Sequence, residues 1–124
     1  MKANRYQEEA STTALYMVGS EQLCFSDDDD RIVSFLNLAY CALKLNGEAG
    51  EVAELIGKAL RDDKGKIDDG RLNGIVMECG DVLWYIAMIL NELDVPMEEC
   101  MKLNLSKLKS RADRDKLHGD GDYR

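Results

Sequence analysis

Four carboxylates at helical spacing are the residues of this chain best suited to chemistry. Glu48 and Glu51 lie in the stretch Gly47-Glu48-Ala49-Gly50-Glu51-Val52-Ala53-Glu54, and a second pair follows at Glu78-Cys79-Gly80-Asp81. Residues three apart on a helix share a face, so each pair projects oxygen-bearing groups in one direction. Their register adds to this. Glu48 falls on the apolar line Leu45, Val52, Leu55, Ala59, and Glu78 on the line Ile75, Val82, Tyr85, Ile86, Ile89. These are the stripes expected to face a core. Inward carboxylates crowded together repel and take up protons unless a cation sits among them, and a hard divalent ion answers that need. One such pair alone would read as a solvated charged face; two pairs, both partly within apolar stripes, favour a site.

Basic residues gather further on. Lys102, Lys107, Lys109, Arg111, Arg114 and Lys116 fall close together in a chain of formal charge −8, and Lys107, Arg111 and Arg114 repeat at i, i+4 and i+7, with Asn104 one turn earlier. A row of cations opposite a carboxylate-held metal would grip a polyphosphate from both ends; taken alone, the row also reads as a solvated face. The ending from Asp113 to Arg124 is polar and glycine-containing, and its composition predicts a flexible tail. Gly119 and Gly121 would let that tail turn back, so that Asp122 could accept hydrogen bonds from a base or sugar, Tyr123 could stack and Arg124 could reach a phosphate. The single histidine, His118, reads as a surface residue of the tail.

The elements that must position these groups are helical. With 124 residues, 45% apolar residues and one proline, the chain reads as one domain, small enough that helix pairs gain from a second subunit. The acidic balance argues against a nucleic-acid polymer as partner. No targeting segment opens the chain, and the uncharged apolar runs Ile32 to Leu43 and Val82 to Asn91 are too short to span a bilayer, which predicts a cytoplasmic protein. Cys24, Cys41, Cys79 and Cys100 lack metal-ligand spacing and read as reduced core thiols, three of them within helices. A first helix is expected over Asn4 to Met17. A loop over Gly19 to Asp30 should follow, ending in Asp27-Asp28-Asp29-Asp30 ahead of a helix N-terminus. The second helix should run from Arg31 to Leu60, where Gly47 and Gly50 predict a bend or a closely packed neighbour. A polar hinge over Arg61 to Gly70 leads to a third helix, Arg71 to Leu93. Asp94-Val95-Pro96, read as a cap and a helix start, leads into a fourth ending near Ala112.

At this point the chain resembles the MazG-like nucleoside triphosphate pyrophosphohydrolases, a branch of the all-α NTP pyrophosphatases. The resemblance rests on Leu45 to Glu54, on Glu78-Cys79-Gly80-Asp81-Val82-Leu83-Trp84-Tyr85, on Asn104 to Arg111, and on the ending Gly119-Asp120-Gly121-Asp122-Tyr123-Arg124. It implies an all-α bundle of four to five helices, completed by association into a homodimer or homotetramer. It also implies a magnesium site made by Glu48, Glu51, Glu78 and Asp81, where manganese could substitute. The implied reaction is hydrolysis of a nucleoside triphosphate to the monophosphate and pyrophosphate. By the same resemblance Tyr85, Asn104, Lys107 and Arg111 would hold phosphates or sugar, with Lys58 or Arg61 adding charge at the mouth. Lys44 and Asn46 depart from the family, standing where many relatives have Gly and Ala.

The chemistry is consistent on physical grounds. Carboxylate-bound magnesium neutralises a triphosphate and makes a coordinated water more acidic, and Glu51, working with Glu48, could accept the proton. Lys107 and Arg111 would stabilise charge on the departing pyrophosphate. Two other classes fit less well. A di-iron bundle needs histidines paired with the carboxylates, and His118 stands outside the helices. A non-enzymatic helical module that binds nucleotide or metal accounts for the amphipathic helices but leaves the inward acidic pairs without a task.

Overall fold

The computed structural model describes residues 1–16, 23–24, 32–33 and 35–114. Its order is α1 (Ala3–Ser11), β1 (Leu23–Cys24), β2 (Ile32–Val33), α2 (Phe35–Asp62), α3 (Asp69–Glu92) and α4 (Met97–Asp113). Among the described residues the four expected helices are present and the fold is all-α apart from one short antiparallel pairing, Leu23 opposite Val33 and Cys24 opposite Ile32. That pairing corrects the expected start of the second helix, because Ile32 and Val33 are β-branched and join a strand, leaving α2 to begin at Phe35. The run Asp27 to Asp30 and the tail beyond Arg114 lie outside the described residues.

α1 ends at Ser11, short of the expected Met17. The hydroxyls of Ser11, Thr12 and Thr13 donate to the carbonyls of Glu8, Glu9 and Ala10. Three consecutive hydroxyl residues thereby satisfy the last turn's carbonyls from outside and end the helix. α3 starts conventionally: the Asp68 carboxylate accepts the backbone N–H of Arg71 at 2.8 Å. Asp94, expected as a cap for α4, instead takes a left-handed conformation (φ 54°) that closes α3, with Val95 N–H returning to the Leu90 carbonyl at 2.9 Å. Pro96 occupies the cap position of α4 and offers no side-chain acceptor. α1 supplies what is missing: the Gln7 Oε1 accepts Met97 N–H at 2.8 Å and the Asn4 Oδ1 accepts Glu98 N–H at 2.9 Å. The Gln7 Nε2 also donates to the Val95 carbonyl at 3.0 Å. Two side chains of the first helix thus fix the base of the fourth.

α2 and α3 form the main helix pair, α1 lies across α3, and α1 also touches α4. The core is small and sits where α1, α2, α3 and the start of α4 meet, around Ala10, Cys41, Ala87, Met88 and Met97. Leu45, Val52 and Leu55 are half-buried and Ala59 is buried, as the stripe predicts, and Ile75, Val82, Tyr85, Ile86 and Ile89 are half-buried opposite them. The expected close neighbour of Gly47 and Gly50 is missing among the described residues: a Cβ at either would meet nothing within 4 Å. Close helix approach occurs at Gly74, where a Cβ would lie 3.4 Å from Leu55 Cδ1. Much apolar surface stays open, including Leu43, Leu60, Val76 and Met77 on the main pair and Leu103 and Leu105 on α4.

Counted as a whole helix, α3 has the length and composition to cross a membrane; the expectation from uncharged runs alone missed this. Glu78 and Asp81 sit near its middle, however, and each charged carboxylate at a bilayer centre costs about 3 kcal/mol. In this fold both meet a carboxylate of α2 instead.

Candidate metal centre

The α2–α3 pairing brings the two acidic motifs together. Carboxylate oxygens of Glu48, Glu78 and Asp81 all lie within 4.8 Å of one another. Glu48 and Glu78 are half-buried and Asp81 is exposed, so the group sits at the edge of the helix pair with its mouth open to solvent. Glu51 is exposed, and its charge acts on Glu78. Burial pushes the Glu78 carboxyl above its ordinary value, and the neighbouring charges of Glu51, Asp81 and Glu48 push the same way. This is the signature of acids assembled without enough positive charge. The donors are all hard oxygens, with no thiol or imidazole among the three, and that set fits magnesium, manganese or calcium.

A cavity of about 500 Å³ opens beside the acids, lined by Thr13, Glu48, Asp81, Trp84 and Tyr85. Its wall is aromatic. Trp84 and Tyr85 pack edge to face with ring centroids 4.8 Å apart, and Tyr16 stacks on Tyr40 at 5.6 Å and meets Trp84 edge-on at 6.0 Å. The Trp84 indole N–H donates to the Thr13 hydroxyl at 2.9 Å, tying the wall to the end of α1. Behind it the Tyr16 hydroxyl donates to Glu92 at 3.0 Å, and burial, with Cys41 and Glu92 adding to it, raises that phenol far above its ordinary value. Burial also raises Tyr85, and raises Tyr6, on which the charge of Asp81 acts as well. Lys44 completes the rim, with its ammonium 3.1 Å from the Glu48 Oε1 and 5.9 Å from the centre of the Tyr85 ring.

The residues expected from the sequence therefore divide. Glu48, Glu51, Glu78, Asp81 and Tyr85 converge. Asn104 and Lys107 line a different cavity, of about 420 Å³, with Leu90, Val95, Cys100 and Leu103. Arg111 is only 5% exposed, toward the end of α4. Lys58 pairs with Glu54 at 2.9 Å, and Arg61 with Asp62 at 2.6 Å. Asp122 and Arg124 lie outside the described residues. Of the thiols, Cys41 is fully buried and Cys100 half-buried, but Cys79 is exposed, which corrects its reading as a core thiol. Sequence reading assigned no role to two contributors to the site. Trp84 carried a usable signal, one turn beyond Asp81 and adjacent to Tyr85. Thr13 had none, because only the docking of α1 brings it to the cavity. Lys44, read from the sequence as a departure from the family one turn from the acids, stands at the rim.

The model of the MazG nucleotide pyrophosphohydrolase domain matches residues 38–114, more than half of the chain and all four convergent acids. The chain belongs to the MazG family. A full-length relative in Mycobacterium phage L5, named only as the Gene 37 protein, is 39% identical over 124 residues, covering all of both chains. No solved structure matches. The matched MazG region begins within α2 and closes at the end of α4. Thr13 and the α1 contacts to α4 therefore lie outside it.

Proposed function

We propose that this MazG protein hydrolyses a nucleoside or deoxynucleoside triphosphate to the monophosphate and pyrophosphate with the help of magnesium, serving control of the nucleotide pool. The observation that carries this reading is the convergence of Glu48, Glu78 and Asp81, with Glu51 alongside, at the mouth of an aromatic-walled cavity. Glu48, Glu51, Glu78 and Asp81 are the groups that would hold the ion, and manganese suits the same oxygens. Bound there, the ion would supply charge neutralisation of the triphosphate and a more acidic water. Glu51, which is exposed, would accept the proton of the attacking water, and Glu48, half-buried, would fix the geometry. Tyr85 and Trp84 offer ring faces to a base or sugar. Lys107 and Arg111 are assigned to phosphate, with Lys58, Asn104, Asp122 and Arg124 as further contacts.

Because Asn104 and Lys107 line another cavity in the single chain, we assign their phosphate contact to an assembled dimer or tetramer. The open apolar surface of α2, α3 and α4 supports such an assembly. The same reading takes the working protein as cytoplasmic, without a membrane or a nucleic-acid polymer as partner. The test is magnesium-dependent release of pyrophosphate from a panel of nucleotides, with Glu51→Gln alongside. Turnover by the parent chain and its loss in the variant are expected. Near-parental, magnesium-dependent turnover by Glu51→Gln would remove the site assignment.

A further inference from the structure

Lys44 stands in an unusual relation to the acids. It precedes Glu48 by one helical turn, and its ammonium lies 3.1 Å from the Glu48 Oε1 while also resting 5.9 Å from the centre of the Tyr85 ring. A lysine placed before a glutamate at this spacing is the less favourable order on a helix. The helix itself therefore gives little reason for the contact. What draws the ammonium is the surplus of negative charge that Glu48 shares with Glu78 and Asp81, together with the ring face of Tyr85. The Glu48 side chain is 13% exposed and that of Lys44 is 46% exposed, so the lysine reaches in from solvent and has free water to return to.

We infer that Lys44 is a built-in competitor for the divalent cation: its ammonium occupies Glu48 in the cation-free protein and must leave, or retreat over Tyr85, as the ion is held. The inference rests on the metal-centre reading above. An ammonium and a divalent ion on one carboxylate repel each other, and the lysine has a four-carbon arm long enough to withdraw. The protein thereby keeps its acids partly neutralised when empty and raises the concentration of cation needed to fill them. A triphosphate arriving with its own ion would meet a newly released ammonium at the rim, where phosphate charge can take over from Glu48.

The chain contains one tryptophan, and Trp84 lines the same cavity as Glu48 and Asp81. Its fluorescence is thus a local reporter of manganese binding that needs no turnover. Titration with manganese alone should show saturable quenching, with the midpoint lowered about fivefold in Lys44→Met, the size expected for removal of an exposed ion pair. Lys44→Arg should stay close to the parent. Arg5→Gln, which removes one positive charge from the exposed Arg5–Glu9 pair on α1, should also leave the midpoint in place and so exclude a general effect of net charge. Circular dichroism checks that each variant is folded. Saturable quenching with an unchanged midpoint in Lys44→Met overturns the inference and leaves the metal centre standing. A raised midpoint overturns it too, since Lys44 would then be holding Glu48 in position for the ion. Absence of saturable quenching in the parent removes the metal centre and this inference with it.

Discussion

Replacing Gln7 by Leu tests whether α1 holds α4 in place. Gln7 is 8% exposed, and its amide bridges two backbone groups far away in sequence, accepting from Met97 N–H at 2.8 Å and donating to the Val95 carbonyl at 3.0 Å. Leucine is close in volume, so no cavity is created to confuse the result. The bond to Met97 acts as a helix cap, and loss of a cap costs about 1 kcal/mol. The bond to Val95 contributes about 1 kcal/mol net, and leaving buried partners dry adds to that. Some of this is offset by the apolar surface that leucine buries. A net loss of about 2 kcal/mol is expected, which in a chain of this size lowers the melting temperature by roughly 8 °C. Urea unfolding followed by far-ultraviolet circular dichroism measures it. Asn4→Ala, at the half-buried second bond to α4, should lose about half as much. If Gln7→Leu unfolds within about 0.5 kcal/mol of the parent, the ordinary range for surface changes, α4 is held by something other than this amide.

Two further outcomes concern the site. Glu78 has its carboxyl raised above 4.5 by burial and by Glu51, Asp81 and Glu48, so the folded chain binds that proton more tightly than the unfolded chain does. Stability without metal should therefore fall as pH rises from about 4.5 through the raised value. In chelator, Glu78→Gln should be more stable than the parent near neutral pH, with the difference closing in acid; a variant less stable than the parent at neutral pH would refute the crowding. Lys107→Ala and Arg111→Ala should weaken triphosphate binding at least about tenfold while barely changing nucleoside binding, because charge-assisted bonds to phosphate are the strong ones. Equal losses for both ligands, by calorimetry, would make these residues structural.

The sequence by itself determined the helices and the pairing of acids within them. The i, i+3 spacing put Glu48 with Glu51 and Glu78 with Asp81, and the apolar lines around Glu48 and Glu78 showed which way they face, because both follow from helical periodicity alone. The start of α3 was read two residues late, at Arg71, because the polar run through Gly70 hid the cap that Asp68 supplies to a helix beginning at Asp69. Boundaries set by competition were not legible in this way. α1 stopped early because three hydroxyls took its last carbonyls, and Ile32 and Val33 left α2 for a strand. Asp94 became the left-handed residue that closes α3, while the cap of α4 came from Asn4 and Gln7, some ninety positions away. Only tertiary structure brought Thr13 to the cavity beside the acids and set Glu48 of α2 against Glu78 and Asp81 of α3. It also set Asn104 and Lys107 against a separate cavity. Periodicity fixes the face a residue occupies on its own helix, whereas the meeting of two faces depends on how helices dock, and that is decided by packing summed over the whole chain.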